Sequence, residues 1–106
     1  MMLLTKANRN VLPPLGSQDG KRGDAVAYVS FFDPTGSWTW YAMEFDGEDM
    51  FFGLVDGFEK EFGYFRLSEL QSVWGRWGLG IERDRSWRPT SLREIWPAFY
   101  EMQQPA

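Results

Sequence analysis

The chain predicts an α+β fold: a four- to five-stranded antiparallel meander with short helices at the N-terminus, after strand four and at the C-terminus. Three observations predict it. Residues 38–55, WTWYAMEFDGEDMFFGLV, form two aromatic-rich runs joined at Asp46-Gly47, a dipeptide suited to a tight hairpin turn. Asp33-Pro34-Thr35-Gly36 and Asp56-Gly57 supply turn chemistry on either side of those runs. Leu92, Ile95, Phe99 and Met102 recur at the spacing of an amphipathic helical stripe. The 106 residues suit a single domain, 1–106, with one modest core.

Taken in order, Thr5 is placed to cap a short helix over Lys6–Val11, which Pro13 and Pro14 stop. Residues 16–24, GSQDGKRGD, read as a polar loop. Ala25–Phe32 is the first strand and Trp38–Phe45 the second. Strict alternation in the second puts Trp38, Trp40, Ala42 and Glu44 on one face, and Thr39, Tyr41, Met43 and Phe45 on the other. Met50–Val55 is the third strand. Residues 58–67 are the fourth, with Gly63 marking a bulge or a close approach. Ser68 and Gln71 have the spacing of a capping box, with Leu67 as a hydrophobic staple, ahead of a helix over Glu69–Trp74. Leu79–Arg83 is a candidate edge strand. Ser91 and Glu94 repeat the capping-box spacing before the C-terminal helix, which Pro97 either kinks or restarts. The helices are expected on one face of the sheet.

Composition excludes several chemistries. The chain has no Cys and no His. That removes disulfides, thiolate metal sites, His-ligated zinc and imidazole-based catalysis. A metal would need a hard, oxygen-ligated site, and the carboxylates lack the spacing of a calcium loop, so no metal site is assigned. Gly75, Gly78 and Gly80 lack the Lys-Ser/Thr of a phosphate loop, and no cofactor is implied. No hydroxyl has a Lys or His placed to activate it, so the expectation is a non-enzyme. The absence of a long apolar run and of a signal-type start leads to an expectation of a cytoplasmic protein with no membrane partner.

Charge is unevenly distributed along the chain. From Glu44 to Glu61 seven acids (Glu44, Asp46, Glu48, Asp49, Asp56, Glu59 and Glu61) stand against Lys60 alone. From Arg76 to Arg93 five arginines stand against Glu82 and Asp84. The acidic run can imitate the phosphates of a nucleic acid and oppose a basic groove. The candidate acidic contacts are Asp46, Glu48, Asp49 and Glu59; the competing reading is a solvated hairpin turn. The Trp/Arg-rich stretch offers Trp74, Trp77, Arg85 and Trp87 as anchors, since Trp and Arg dominate interface hot spots. Its competing reading is core packing, and single-stranded nucleic acid is opposed by the net charge of -4.

Four segments carry a family resemblance: LLTKANRNVLPPLGSQ, WTWYAMEFDGEDMFFGLVDGFEKEFGYFRLSEL, GLGIERD and RPTSLREI. Together they resemble a bacterial family known as domain of unknown function 2958, over roughly Leu3 to Ile95. The resemblance implies no catalytic residues. It implies a genomic neighbourhood on plasmids, integrative elements and phages, often beside anti-restriction and conjugation genes. The chain departs from the family around GLGIERD, where Trp74, Arg76, Trp77, Arg85, Trp87 and Arg88 make it Trp/Arg-rich.

The expectation is therefore an acidic interaction protein of a mobile element. In its most concrete form it is an anti-defence inhibitor, anti-CRISPR or anti-restriction, that binds a host nuclease or surveillance complex and blocks nucleic-acid access. The alternatives are a small-molecule or nucleotide-binding module with sheet aromatics lining a pocket, and a nucleic-acid-binding accessory of plasmid maintenance. Hairpin edges and surplus aromatics also allow a homodimer.

Overall fold

The structure, a computed structural model, describes residues 2–73 and 79–103. Helix α1 (Lys6–Val11) starts at Thr5, whose hydroxyl accepts from the Asn8 backbone N–H at 3.1 Å while Asn8 Oδ1 accepts from the Thr5 N–H at 3.0 Å. This reciprocal cap satisfies two of the donors that a helix start leaves open. A 3-10 turn at Arg22–Asp24 leads into β1 (Val26–Ala27) and β2 (Val29–Phe32). Strands β3 (Thr39–Phe45), β4 (Met50–Asp56) and β5 (Lys60–Arg66) follow, then α2 (Leu67–Ser72), β6 (Glu82–Arg83), β7 (Thr90–Ser91), α3 (Leu92–Ile95) and α4 (Pro97–Gln103). The main sheet is antiparallel and five-stranded in the order β5-β4-β3-β2-β6, and β1 pairs with β7 in a small second sheet.

The expected first strand is thus two strands, and β3 gives the reason. Its register with β4 shifts between Ala42 and Glu44, so Met43 is an extra residue, a β-bulge. The β2–β3 ladder ends at Val29 opposite Ala42, and beyond it β1 turns to β7. The buried Gln18 side chain fills the gap. Its amide donates to the carbonyls of Val26 (2.9 Å) and Met43 (2.8 Å), and its oxygen accepts from the Val26 N–H (2.6 Å). Backbone groups that the bulge leaves without a strand partner are satisfied by a side chain.

The bulge also resets the faces of β3. Ala42 and Phe45, expected on opposite faces, lie in the same cluster with Val29, Phe31, Phe51 and Phe65. Phe51 is its centre, with ring centroids 4.5 Å from Phe45, 5.2 Å from Phe65 and 5.6 Å from Phe31. Leu3, Leu4, Leu12, Leu67 and Leu70, from the N-terminal segment and α2, cover this face. The opposite face carries Met43, Tyr41 and Phe52, covered by Leu92, Ile95, Phe99 and Tyr100 of α3 and α4. Helices therefore pack on both faces of the sheet, not on one, because apolar side chains project from both.

Local details differ from the sequence reading. Gly63 sits in a regular ladder opposite Gly53 with open space where a side chain would be, so it is neither bulge nor close approach. The close approach is at Gly53, where a Cβ would strike the Tyr41 carbonyl oxygen. Helix α2 begins at Leu67, and the Ser68–Gln71 box does not form; its N-terminus is capped from a distance by Asp49 (below). Ser91 occupies the N-cap position of α3 without a side-chain cap. The C-terminal stripe is broken at Trp96, and Pro97 opens α4, where its missing N–H costs nothing. Among the described residues, no helix is long and apolar enough to cross a membrane.

Candidate functional site

Strand β4 separates two acidic turns. Its seven residues hold them roughly 20 Å apart at the rise of an extended chain. At one end, Asp46 opens the β3–β4 turn, with Gly47 at φ +90°. One Asp46 carboxylate oxygen accepts from the backbone N–H groups of Glu48 (2.8 Å), Asp49 (2.9 Å) and Met50 (3.0 Å). These bonds hold its carboxyl below the usual carboxylate range. Asp49 bridges to α2, accepting from the Ser68 hydroxyl (2.6 Å) and the Ser68 N–H (2.8 Å), while its own carbonyl accepts from the Leu67 N–H (2.8 Å). The Ser68 contacts lower its pKa, and Arg66 stands 3.8 Å away. Both carboxylates thus serve their own backbone. Glu48, between them, is exposed.

Glu44, the first acid of the run, is only 2% exposed. Its two carboxylate oxygens accept from the N–H groups of Gly16 and Gln18, each at 2.8 Å. It ties the polar loop to the bulged strand and is absent from the surface. Burial of a polar or charged side chain is tolerated where hydrogen bonds replace those to water.

The other end of β4 is built differently. Phe58, at the tip of the β4–β5 turn, is 95% exposed. Its ring stands nearly perpendicular to Trp38, at 82° and 5.3 Å between centroids, and the Trp40 ring lies 5.9 Å from Trp38. Trp38 lies against Gly57, where a Cβ would sit 2.6 Å from ring carbons. Trp38, Val55, Phe58, Glu59 and Glu61 line an open cleft of about 290 Å³. Among the described residues, neither Glu59 nor Glu61 has a cation within ion-pair distance. Lys60, between them in sequence, places its ammonium 5.7 Å from the Trp96 ring.

The described residues of the Trp/Arg stretch serve separate contacts. Trp87 donates its indole N–H to the Ala27 carbonyl at 3.0 Å, and its ring lies 5.4 Å from that of Tyr41 and tilted by 51°, as part of the packing on that face. Arg83 donates to the carbonyls of Met2 (2.7 Å) and Leu3 (3.0 Å), and Arg93 pairs with Asp24. Arg85 is exposed. Trp74 and Trp77 lie outside the described residues. The four expected acidic contacts are likewise split, with Glu59 at the opposite end of the sheet from Asp46, Glu48 and Asp49. No group of three carboxylates among the described residues is arranged to hold a metal ion. Sequence reading passed over Trp38, Phe58 and Glu61 as site residues; the available signal was a large aromatic side chain directly following the Asp56-Gly57 turn.

A family model described as a protein of unknown function (DUF2958) matches residues 3–100. The chain belongs to this family. No curated protein and no solved structure matches it.

Proposed function

We propose that this protein is a small non-enzymatic interaction module that docks on a basic surface of another macromolecule. In its most concrete form it is a cytoplasmic anti-defence inhibitor of a mobile element, occupying the nucleic-acid groove of a nuclease or surveillance complex. The observation that supports this reading is Phe58. A phenylalanine left almost wholly in water beside two carboxylates that pair with no cation among the described residues is costly for a free protein and useful for one that is covered on binding. Aromatic side chains supply the anchoring area, and acids around them select a basic partner and speed encounter.

Affinity purification with the intact chain, from a host carrying nuclease-based defence, tests this. The expected result is retention of a nuclease or its complex and loss of its DNA cleavage in the presence of the wild-type chain. Phe58→Ala combined with Glu59→Lys should abolish both while the protein stays folded. Retention and inhibition undiminished in that variant would refute the assignment of this end as the contact.

A further inference from the structure

We infer that the cleft lined by Trp38, Val55, Phe58, Glu59 and Glu61 is a receptor for a single arginine side chain of the partner. This inference rests on the reading above and specifies what that site recognises. The cleft, at about 290 Å³, lies at the lower end of ligand pockets and is open, so it suits a side chain inserted from outside. Two of its walls are aromatic, with the Trp38 and Phe58 rings 82° apart. Aromatic ring faces attract cations. The Gly57 backbone packs so closely on Trp38 that the ring is held in place before any ligand arrives.

The remaining polar lining is acidic. Glu59 and Glu61 share the cleft, and Lys60 between them engages Trp96 instead. An apolar occupant would take two carboxylates out of water without a partner, and an anion would be repelled. A cation answers both carboxylates and an aromatic ring face. Of the two side-chain cations, arginine fits better, because its planar guanidinium stacks on aromatic rings and its fork of donors serves carboxylates two at a time. Lysine presents a compact, strongly hydrated point charge without that planar match.

The test is a titration of the ¹⁵N-labelled full chain at low salt with acetyl-Gly-Arg-Gly-amide. The same tripeptide carrying citrulline, which keeps the shape and lacks the charge, and one carrying norleucine serve as comparisons. The arginine peptide should shift the Trp38 indole N–H resonance saturably, binding at least fivefold tighter than the citrulline peptide. Glu59→Gln with Glu61→Gln, both surface changes, should remove that preference while amide resonances of the β2–β3 and β3–β4 ladders stay in place. Equal binding of all three peptides, or no shift with arginine, overturns the inference. Those results leave the docking assignment standing if Phe58→Ala with Glu59→Lys still releases the captured nuclease. Selective arginine binding with no effect of that variant on capture would instead uphold the receptor and overturn the docking assignment.

Discussion

The two turns at the ends of β4 have nearly the same sequence chemistry and opposite structural roles. Asp46-Gly47-Glu48-Asp49 engages two of its three carboxylates with donors of its own chain while leaving them at the surface. Asp46 holds three backbone N–H groups of its own turn, and Asp49 caps α2. Gly57-Phe58-Glu59 holds its turn through a backbone bond from the Gly57 N–H to the Glu59 carbonyl at 3.1 Å, leaving Phe58 and the carboxylates facing out. Acid density therefore does not locate a contact surface in this protein. What separates the turns is whether each carboxylate already has donors within the chain.

The largest test of this contrast sets a central aromatic against the tip aromatic. Phe51→Ala removes the hub of the four-ring cluster and should cost about 3–5 kcal/mol in urea unfolding. Phe58→Ala should change stability by no more than about 0.5 kcal/mol, since its ring is exposed, yet weaken partner binding by about 2 kcal/mol or more. A Phe58→Ala variant that is strongly destabilised would erase the distinction between the ends. Next in size is Glu44→Ala, which orphans the Gly16 and Gln18 N–H groups at about 1–3 kcal/mol each. Glu44→Gln, with one amide oxygen to accept, should lose less; chemical denaturation of both variants measures the difference.

Acid sharpens the comparison further. Asp46 and Asp49 have folded-state pKa values below the ordinary 3.8. Their contribution to stability is thus present above that value and is lost as pH falls through the depressed folded values. Melting temperature should fall modestly below about pH 4, and Asp46→Asn with Asp49→Asn should flatten that limb while lowering stability at pH 7. The smallest effect is expected at Gly57→Ala. A Cβ there collides with Trp38, so the indole must move, shifting Trp emission and weakening partner capture while overall stability changes little. Unchanged emission and capture would show that Trp38 is not positioned by this contact.

Much of the meander was legible because turn dipeptides and aromatic alternation are local signals. Asp46-Gly47 and Asp56-Gly57 bracket β4, and Lys6–Val11 begins at the Thr5 cap as expected. The errors arise where a distant group replaces a local one. Asp49, nineteen residues from Ser68, caps α2 together with Glu69, which accepts from the Arg66 N–H, in place of the Ser68–Gln71 box. Gln18 and Glu44, unremarkable in a polar loop and an acidic run, are buried struts: Gln18 serves the Met43 carbonyl at the bulge, and Glu44 accepts from the Gly16 and Gln18 N–H groups of the loop. Trp87, a candidate anchor by composition, is half-buried because Ala27 offers its carbonyl to the indole.

By itself, the sequence determined the class of fold, the antiparallel meander at its centre, the family and the exclusion of imidazole and thiol chemistry, since these follow from residue identity and short-range periodicity. Only the tertiary structure decided which acids face the solvent, that both sheet faces carry helices, and that Trp38, Phe58, Glu59 and Glu61 meet in one cleft. Each of those outcomes depends on which strand lies beside which and in what register, and a one-residue bulge is enough to turn a side chain from one face to the other.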